Sequence, residues 1–573
     1  MSVITTVTVR DSTFSNINDT LPSHDSLDLL FTSQEGSGRK VTEQYNITRC
    51  RFVNITAALL AGLEVENVMV DNCTVNGAKL AYGGFAVAAQ LKQLAIFVNS
   101  TFRDIQLGSA NDATAMTQYY TIPGVGLVKS GSLVKLNVLG CRFSNVSLLP
   151  RATGQQGSTA NKSRTNEVVS AFDRTAVIVT AADARVAQST FEDCYTPAVV
   201  YASSGEYEDL GRVYSLGSAT RRPRDAMVWL ILHNSTFVRN MYGVYADGFQ
   251  VIVSNCSFAA STVSGVKVSG APCLVINGTK LHGASVAVQR ARDAGVSFCR
   301  MGWFPLWQNI EVQAPNVPTA GDVAIVHNNS ERVADMLDSP VSVYLDSVNI
   351  SSVQNQPALS LRDIQTSKVS LQRVSISGSI GRGALQASSV AGLLMLQCQM
   401  ENNSADQAAG AVNIAGGGTF TDVRNLYLLE TVFAGNVGPE AGAILLQSCG
   451  AVVINSCTYH GNSANHSGGG VRAIASQSII MDTTTLQQPE NISCIQADLL
   501  RVLYDQEFAI ELSSTSADSV VCSKDVLGGR VTTFSSNVAG ASGGAIAIDG
   551  LKSGSGLTLA AFNGTQVKFL DNR

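Results

Sequence analysis

Two of the three tryptophans lie in the segment Trp303-Phe304-Pro305-Leu306-Trp307. Exposed aromatic faces of this kind can stack on a sugar ring or anchor a protein partner, so Trp303, Phe304 and Trp307 are the candidate ligand-binding residues. A small core private to the loop is the alternative, and both readings stay open. Cleaving a glycosidic bond would instead need two carboxylates converging on one face, or a calcium site with an Arg or Lys base. The acids that recur in register, Asp104 and Asp193, stand where other copies of a short motif have Asn, which gives them a turn role. Spacing identifies no nucleophile–histidine pair, and the 12 Cys include no Cys-x-x-Cys knuckle. No catalytic residue, metal site or cofactor is expected. Arg221-Arg222-Pro223-Arg224 and Glu206-Tyr207-Glu208-Asp209 read as solvated loop charges.

A second kind of chemistry is modification. The triplet Asn-x-Ser/Thr occurs at Asn18, Asn46, Asn54, Asn72, Asn99, Asn145, Asn161, Asn234, Asn255, Asn277, Asn328, Asn349, Asn402, Asn465, Asn491 and Asn563. These accept N-linked glycans if the chain meets a eukaryotic secretory pathway. They point to an extracellular or cell-surface protein, whether secreted, cell-wall or outer-membrane associated. A repeat that favours Asn-Ser/Cys-x-Phe would also raise their number.

The elements that position these residues are announced by a repeat: a small residue, any residue, an aromatic, then Asn or Asp two or three places on. It reads Ser12-Thr13-Phe14-Ser15-Asn16, Cys50-Arg51-Phe52-Val53-Asn54, Ser100-Thr101-Phe102-Arg103-Asp104, Cys141-Arg142-Phe143-Ser144-Asn145 and Ser189-Thr190-Phe191-Glu192-Asp193. Later copies are Phe237-x-x-Asn240, Met400-x-x-Asn403, Phe433-x-x-Asn436, Tyr459-x-x-Asn462, Phe534-x-x-Asn537 and Phe569-x-x-Asn572. In a strand, the small residue and the aromatic share a face and can both point inward. Consecutive copies lie 21 apart (258 − 237) and 26 apart (459 − 433), the length of one β-solenoid coil. The Asn suits a left-handed turn and can bond to the neighbouring coil. Small residues then open a second strand, as in Gly442-Ala443-Ile444 and Gly543-Gly544-Ala545-Ile546, where a Cβ would block a close approach. The expected fold is an all-β, right-handed parallel β-helix of roughly fifteen or more coils. Amphipathic stretches for a doubly wound α/β fold are almost absent.

Over roughly residues 397 to 573, Phe-x-x-Asn followed by Gly-Gly-Ala-Ile resembles the repeat of the polymorphic outer membrane proteins, Pmp-type right-handed β-helix passengers that resemble adhesins. Upstream the pattern relaxes to Phe-x-Asn-Ile/Val, which supports the fold without the family. The family's membrane barrel is absent, and the chain stops part-way through a coil at Phe569-Leu570-Asp571-Asn572-Arg573. Further coils or a cap are expected beyond both ends.

Cys50, Cys73, Cys141, Cys256, Cys398 and Cys457 all sit two before the aromatic or its substitute, and are read first as small hydrophobes in an interior ladder. The alternative is a disulfide between coils, with Cys50 and Cys73 the foremost pair. Cys494 and Cys522 bracket an interruption and form a second candidate pair. One continuous solenoid over residues 1–573 is expected, with insertions near 18–44, 106–132, 147–175, 203–226, 290–342 and 480–530; Arg151 to Glu167 reads as flexible. The formal net charge is -5, and scattered Arg forms no basic stripe in the sequence, so no nucleic-acid partner is expected. No apolar run approaches the roughly 18–20 residues of a spanning helix, and Met1 to Val9 has no basic leader, so a signal peptide is not expected within this chain.

The expected function is a non-catalytic, adhesin-like scaffold that binds polysaccharide or a surface glycoprotein through its loops. The rival is a carbohydrate-active enzyme, because polysaccharide lyases and pectin-type hydrolases use the same β-helix. The hydrolase signatures Asn-Thr-Asp, Asp-Asp, Gly-His-Gly and Arg-Ile-Lys are missing, which weighs against catalysis.

Overall fold

The computed structural model describes residues 4–18, 42–57, 62–63, 67–80, 86–88, 94–108, 126–130, 135–148, 176–181, 183–203, 229–270, 274–289, 311–313, 341–406, 415–474, 478–481, 485–487, 532–549, 556–559 and 567–573. These residues form strands and turns with no helix among them. The insertions expected from the sequence fall largely outside the described residues, as do Trp303, Phe304, Trp307, Cys494 and Cys522.

One coil shows how the chain winds. Thr236–Val238, Tyr242–Asp247 and Gln250–Ser254 are its three strands, and Ser257–Ala259, Ser264–Ser269 and Leu274–Asn277 repeat them one turn later. Each strand pairs in parallel with its successor, in the registers Phe237↔Phe258, Val244↔Val266 and Ile252↔Val275. The fold is a right-handed parallel β-helix. Its contacts divide it into two units: Met1–Arg292 with Tyr344–Asp363 and Arg373–Gln386, and Asp293–Val343 with Ile364–Gln372 and Ala387–Arg573.

In the first unit, the first strands pair without a break from Thr13–Ser15 to Ser375–Ser377, placing Phe14, Phe52, Val75, Phe102, Phe143, Phe191, Phe237, Phe258, Leu281, Ile350 and Ile376 in one inward column. Phe143 and Phe191 stack with ring centroids 4.9 Å apart and planes 2° from parallel; Phe237 and Phe258 lie 4.6 Å and 7° apart. Isolated rings prefer an offset or edge-on approach. Here the in-register ladder sets the geometry, and the rings follow the rung spacing of roughly 4.8 Å. The second unit repeats the column with Met400, Phe433, Tyr459, Phe534 and Phe569.

The residue two before the aromatic points inward as well. Ser100, Ser189 and Ser235 are buried there, and so are Cys50, Cys73, Cys141 and Cys256. Each small side chain serves the neighbouring coil: the Cys73 amide donates to Ser100 Oγ at 3.1 Å, and the Cys141 amide to Ser189 Oγ at 3.2 Å. Val348 and Val374 fill the same place in two coils.

The turn Asn comes in two kinds that the sequence motif merges. Two residues after the aromatic, the backbone is left-handed in every described coil of both units, at Asn16, Asn54, Gly77, Asp104, Asn145 and Asp193 and on to Asp571. Three residues after it, the side chain points inward: Asn403, Asn436, Asn462 and Asn537 are buried in the second unit. This inner Asn bonds to the next coil, and the outer one makes the corner. The small residue that opens the second strand has a separate cause. A Cβ on Gly470 would lie 2.5 Å from Ala545 O and 2.9 Å from the Phe534 ring.

Candidate functional site

Because each first strand of the first unit has the aromatic or its aliphatic substitute facing inward, the two residues flanking it face outward. A second left-handed corner lies three residues before the aromatic, at Asp11, Arg49, Asn72, Asn99, Gln188, Asn234 and Asn255 among others. Two corner columns therefore border two outward columns. Together they make a flat face on which side chains are exposed or half-buried in every coil.

This face gathers charges that are far apart in sequence. Arg49, Arg51, Arg103, Arg142, Arg239 and Lys280 lie on it, with Asp11, Asp104, Glu192 and Asp193. Arg49 Nε meets Asp11 Oδ1 at 2.6 Å, and Arg103 Nε meets Asp104 Oδ2 at 3.1 Å. Arg239 grips two acids, Asp193 at 2.7 Å and Glu192 at 2.7 Å, while Arg142 reaches Glu192 from the preceding coil at 3.2 Å. Asn145 Nδ2 donates to Asp104 Oδ1 at 2.7 Å. The Arg239 guanidinium holds the Asp193 carboxyl below the usual carboxylate range, as Arg49 does for Asp11. A general acid needs the opposite shift. Asp11 and Asp193 are therefore not arranged to donate protons. Arg51 and Lys280 have no acidic partner among the described residues.

Two Ser–His contacts lie on first-strand faces, one in each unit. His282 Nδ1 is 3.0 Å from Ser351 Oγ, and His460 Nδ1 is 2.9 Å from Ser535 Oγ. Nucleophilic catalysis also needs a group that orients the imidazole and donors for an oxyanion. Among the described residues no carboxylate bonds to either ring, and both histidines are exposed.

The third-strand side of the first unit is different in character. Asn137 and Arg185, partners in register, are buried, and so is Gln250. Burial, and then the nearby Arg185 charge, pull the His233 imidazole below its ordinary pKa. Nothing in the sequence marked these positions, because an outward polar residue on a strand ordinarily meets water.

Several of the sequence-predicted site residues can be placed. Asn72, Asn99, Asn234 and Asn255 occupy the corner before the aromatic, and Asn54, Asn145 and Asn402 the corner after it. At the first corner the order is left-handed Asn, inward Ser or Cys, outward Thr or Ser. That order is itself an acceptor triplet, so the repeat writes such triplets whether or not a glycan is attached. Asn18, Asn349 and Asn465 are exposed, and Asn46 and Asn277 half-buried; Asn161, Asn328, Asn491 and Asn563 lie outside the described residues. Cys50 and Cys73 sit on adjacent rungs as free thiols, with the Cys50 amide donating to Cys73 Sγ at 3.4 Å. No bridge joins them. Cα spacing alone suggested one, but in-register parallel residues keep their Cβ atoms near the ~4.8 Å rung distance, beyond the roughly 3.5–4.5 Å of a disulfide. No group of three or more His, Cys, Asp or Glu among the described residues is placed to hold a metal ion, and no helix there is long and apolar enough to cross a membrane.

No family model, no curated protein and no solved structure matches the chain.

Proposed function

We propose that this chain is a non-catalytic β-helix scaffold, adhesin-like, that works outside the cell and binds glycan or protein. One observation carries the reading: the first unit presents an open polar face, continuous over its paired coils and bordered by left-handed corners, on which arginines pair with the acids and hold the Asp11 and Asp193 carboxyls below the usual range instead of poising them to donate protons. Such a surface suits recognition along an extended partner. The kinship suggested by Phe-x-x-Asn and Gly-Gly-Ala-Ile, with the polymorphic outer membrane proteins, belongs to this proposal, as do surface display and N-glycosylation.

The rival is a carbohydrate-active enzyme on the same fold. Incubation with a panel of polysaccharides separates the two. The scaffold predicts binding without new reducing ends or unsaturated uronides, and depolymerisation would overturn it. Comparing the wild type with Trp303→Ala/Trp307→Ala in glycan and cell binding tests the loop: binding is expected to drop, and unchanged binding removes that segment.

A further inference from the structure

Winding brings together charges that the linear sequence disperses. On the open face of the first unit the six cations named above outnumber the four acids, giving 6 − 4 = +2 on a chain whose formal net charge is -5. Arg373 adds nothing to this count, because it pairs at 2.6 Å with the buried Asp346. The corresponding columns of the second unit carry Glu401, Glu430 and Asp571 against Lys568, or 1 − 3 = -2 among the described residues. The basic stripe that the sequence lacks is therefore present on one face of one unit.

We infer that this face binds a linear acidic polysaccharide, a chain of sugars bearing carboxylate or sulfate groups. The inference rests on the scaffold reading and names the ligand for it. Three features argue for that occupant. The charge has the right sign, and exposed ion pairs such as Arg142 with Glu192 are weak and screened, so their guanidinium groups can be shared with a ligand anion. Between the cations run hydroxyl and amide side chains in register, including the neighbours Thr74 and Thr101, at the rung spacing of roughly 4.8 Å. They can exchange hydrogen bonds with sugar hydroxyls along an extended chain.

The third feature excludes the other polyanion. Single-stranded nucleic acid carries a phosphate on every nucleotide and is held by aromatic side chains that stack its bases. Six cations spread over the coils between Arg49 and Lys280 are sparse for such a strand, and the outward columns contain no Phe, Tyr or Trp; their one ring is the His282 imidazole beside Ser351, and the exposed Tyr195 lies beyond them with its hydroxyl 3.3 Å from Asp193 Oδ1.

The test uses the full chain and defined polymers: hyaluronan for carboxylate, dextran sulfate for sulfate, neutral dextran, and oligothymidylate. Wild-type protein should bind hyaluronan, dextran sulfate or both, which separates the two anions, with affinity falling as salt rises. It should not bind dextran. Arg51→Glu/Lys280→Glu reverses two exposed cations that have no acidic partner among the described residues, so the fold should stand, checked by an unchanged circular dichroism spectrum and melting profile. That variant should lose about tenfold or more in affinity. Glu401→Gln, on the second unit, should bind like wild type. Equal binding by the reversed-charge variant, equal binding to neutral dextran, tighter binding to oligothymidylate, or no binding to either acidic polymer would each overturn the inference. Loss of the charge dependence with glycan or protein binding retained would leave the scaffold reading standing. Depolymerisation with the charge dependence intact would do the reverse.

Discussion

Asn436 Oδ1 accepts two hydrogen bonds from Asn403, one from its backbone amide and one from its side-chain amide, each at 3.1 Å. Asn436 Nδ2 in turn donates to Met400 O at 2.7 Å and to Asn462 Oδ1 at 3.0 Å. The pattern recurs at Asn462 and Asn537, so each buried amide closes one coil onto the next with its polar atoms engaged. Asn436→Ala should strand the Asn403 amide and the Met400 carbonyl inside the core, at about 3–5 kcal/mol. The exposed neighbour Asn402 makes a corner instead, and Asn402→Ala should cost about 1 kcal/mol through its left-handed backbone. A solenoid opens locally, so hydrogen exchange of the amides around residues 403 and 436 is the suitable readout. Equal protection in the two variants would contradict the division of labour.

A related contrast concerns glycine. At Gly461 φ is +61° and no atom lies within 4 Å of an added Cβ, so Gly461→Asn should be accommodated within about 1 kcal/mol. Gly470 lacks such space, because backbone carbonyl Ala545 O blocks it. Gly470→Ala should destabilise by about 1–3 kcal/mol or displace the neighbouring coil. Urea titrations of the two variants against wild type would show which glycine is conformational and which is steric.

These pairs show what the sequence could and could not reveal. The inward aromatic and the small residue two before it were legible because their period-2 placement and their recurrence at coil spacing leave little else for Phe191 and Ser189 to do. The two asparagine roles were not, because positions two and three after the aromatic differ by one residue yet face opposite sides of the wall; burial and the left-handed backbone of Asn402 separate it from Asn403. The cationic face was invisible for a topological reason. Arg142 and Arg239 share Glu192 in space but lie 97 residues apart (239 − 142), across undescribed segments of unequal length.

The interior cysteines should be chemically silent. Burial pushes the Cys73 and Cys141 thiols up to about 11 and that of Cys256 to about 12, so the reactive thiolate is scarce at neutral pH. Site-resolved mass spectrometry after iodoacetamide at pH 8 should find these three unmodified in the native protein and modified in urea. Cys73→Ser should be mild, within about 1 kcal/mol, since Ser100 fills the same column one coil on. Rapid native labelling of Cys73 would show that the first coils open readily.

His233 gives a pH dependence with a definite sign. Its folded-state pKa lies below the ordinary 6.5, first because burial disfavours the imidazolium and then because Arg185 repels it. The unfolded chain therefore binds a proton that the folded chain refuses. Stability from this residue is fully present above the unfolded pKa and is lost as pH falls from about 6.5 toward the folded value. The loss cannot exceed about 1.4 kcal/mol per pH unit, and is smaller because the ring keeps some contact with solvent. Melting profiles at pH 7.5 and 5.5 should show a larger drop for wild type than for His233→Asn, which has no proton to gain. Arg185→Gln should lessen the drop by removing the repulsion while leaving the burial. A steeper loss in His233→Asn would mean that the imidazole is protonated in the folded state and that Arg185 does not act on it as described.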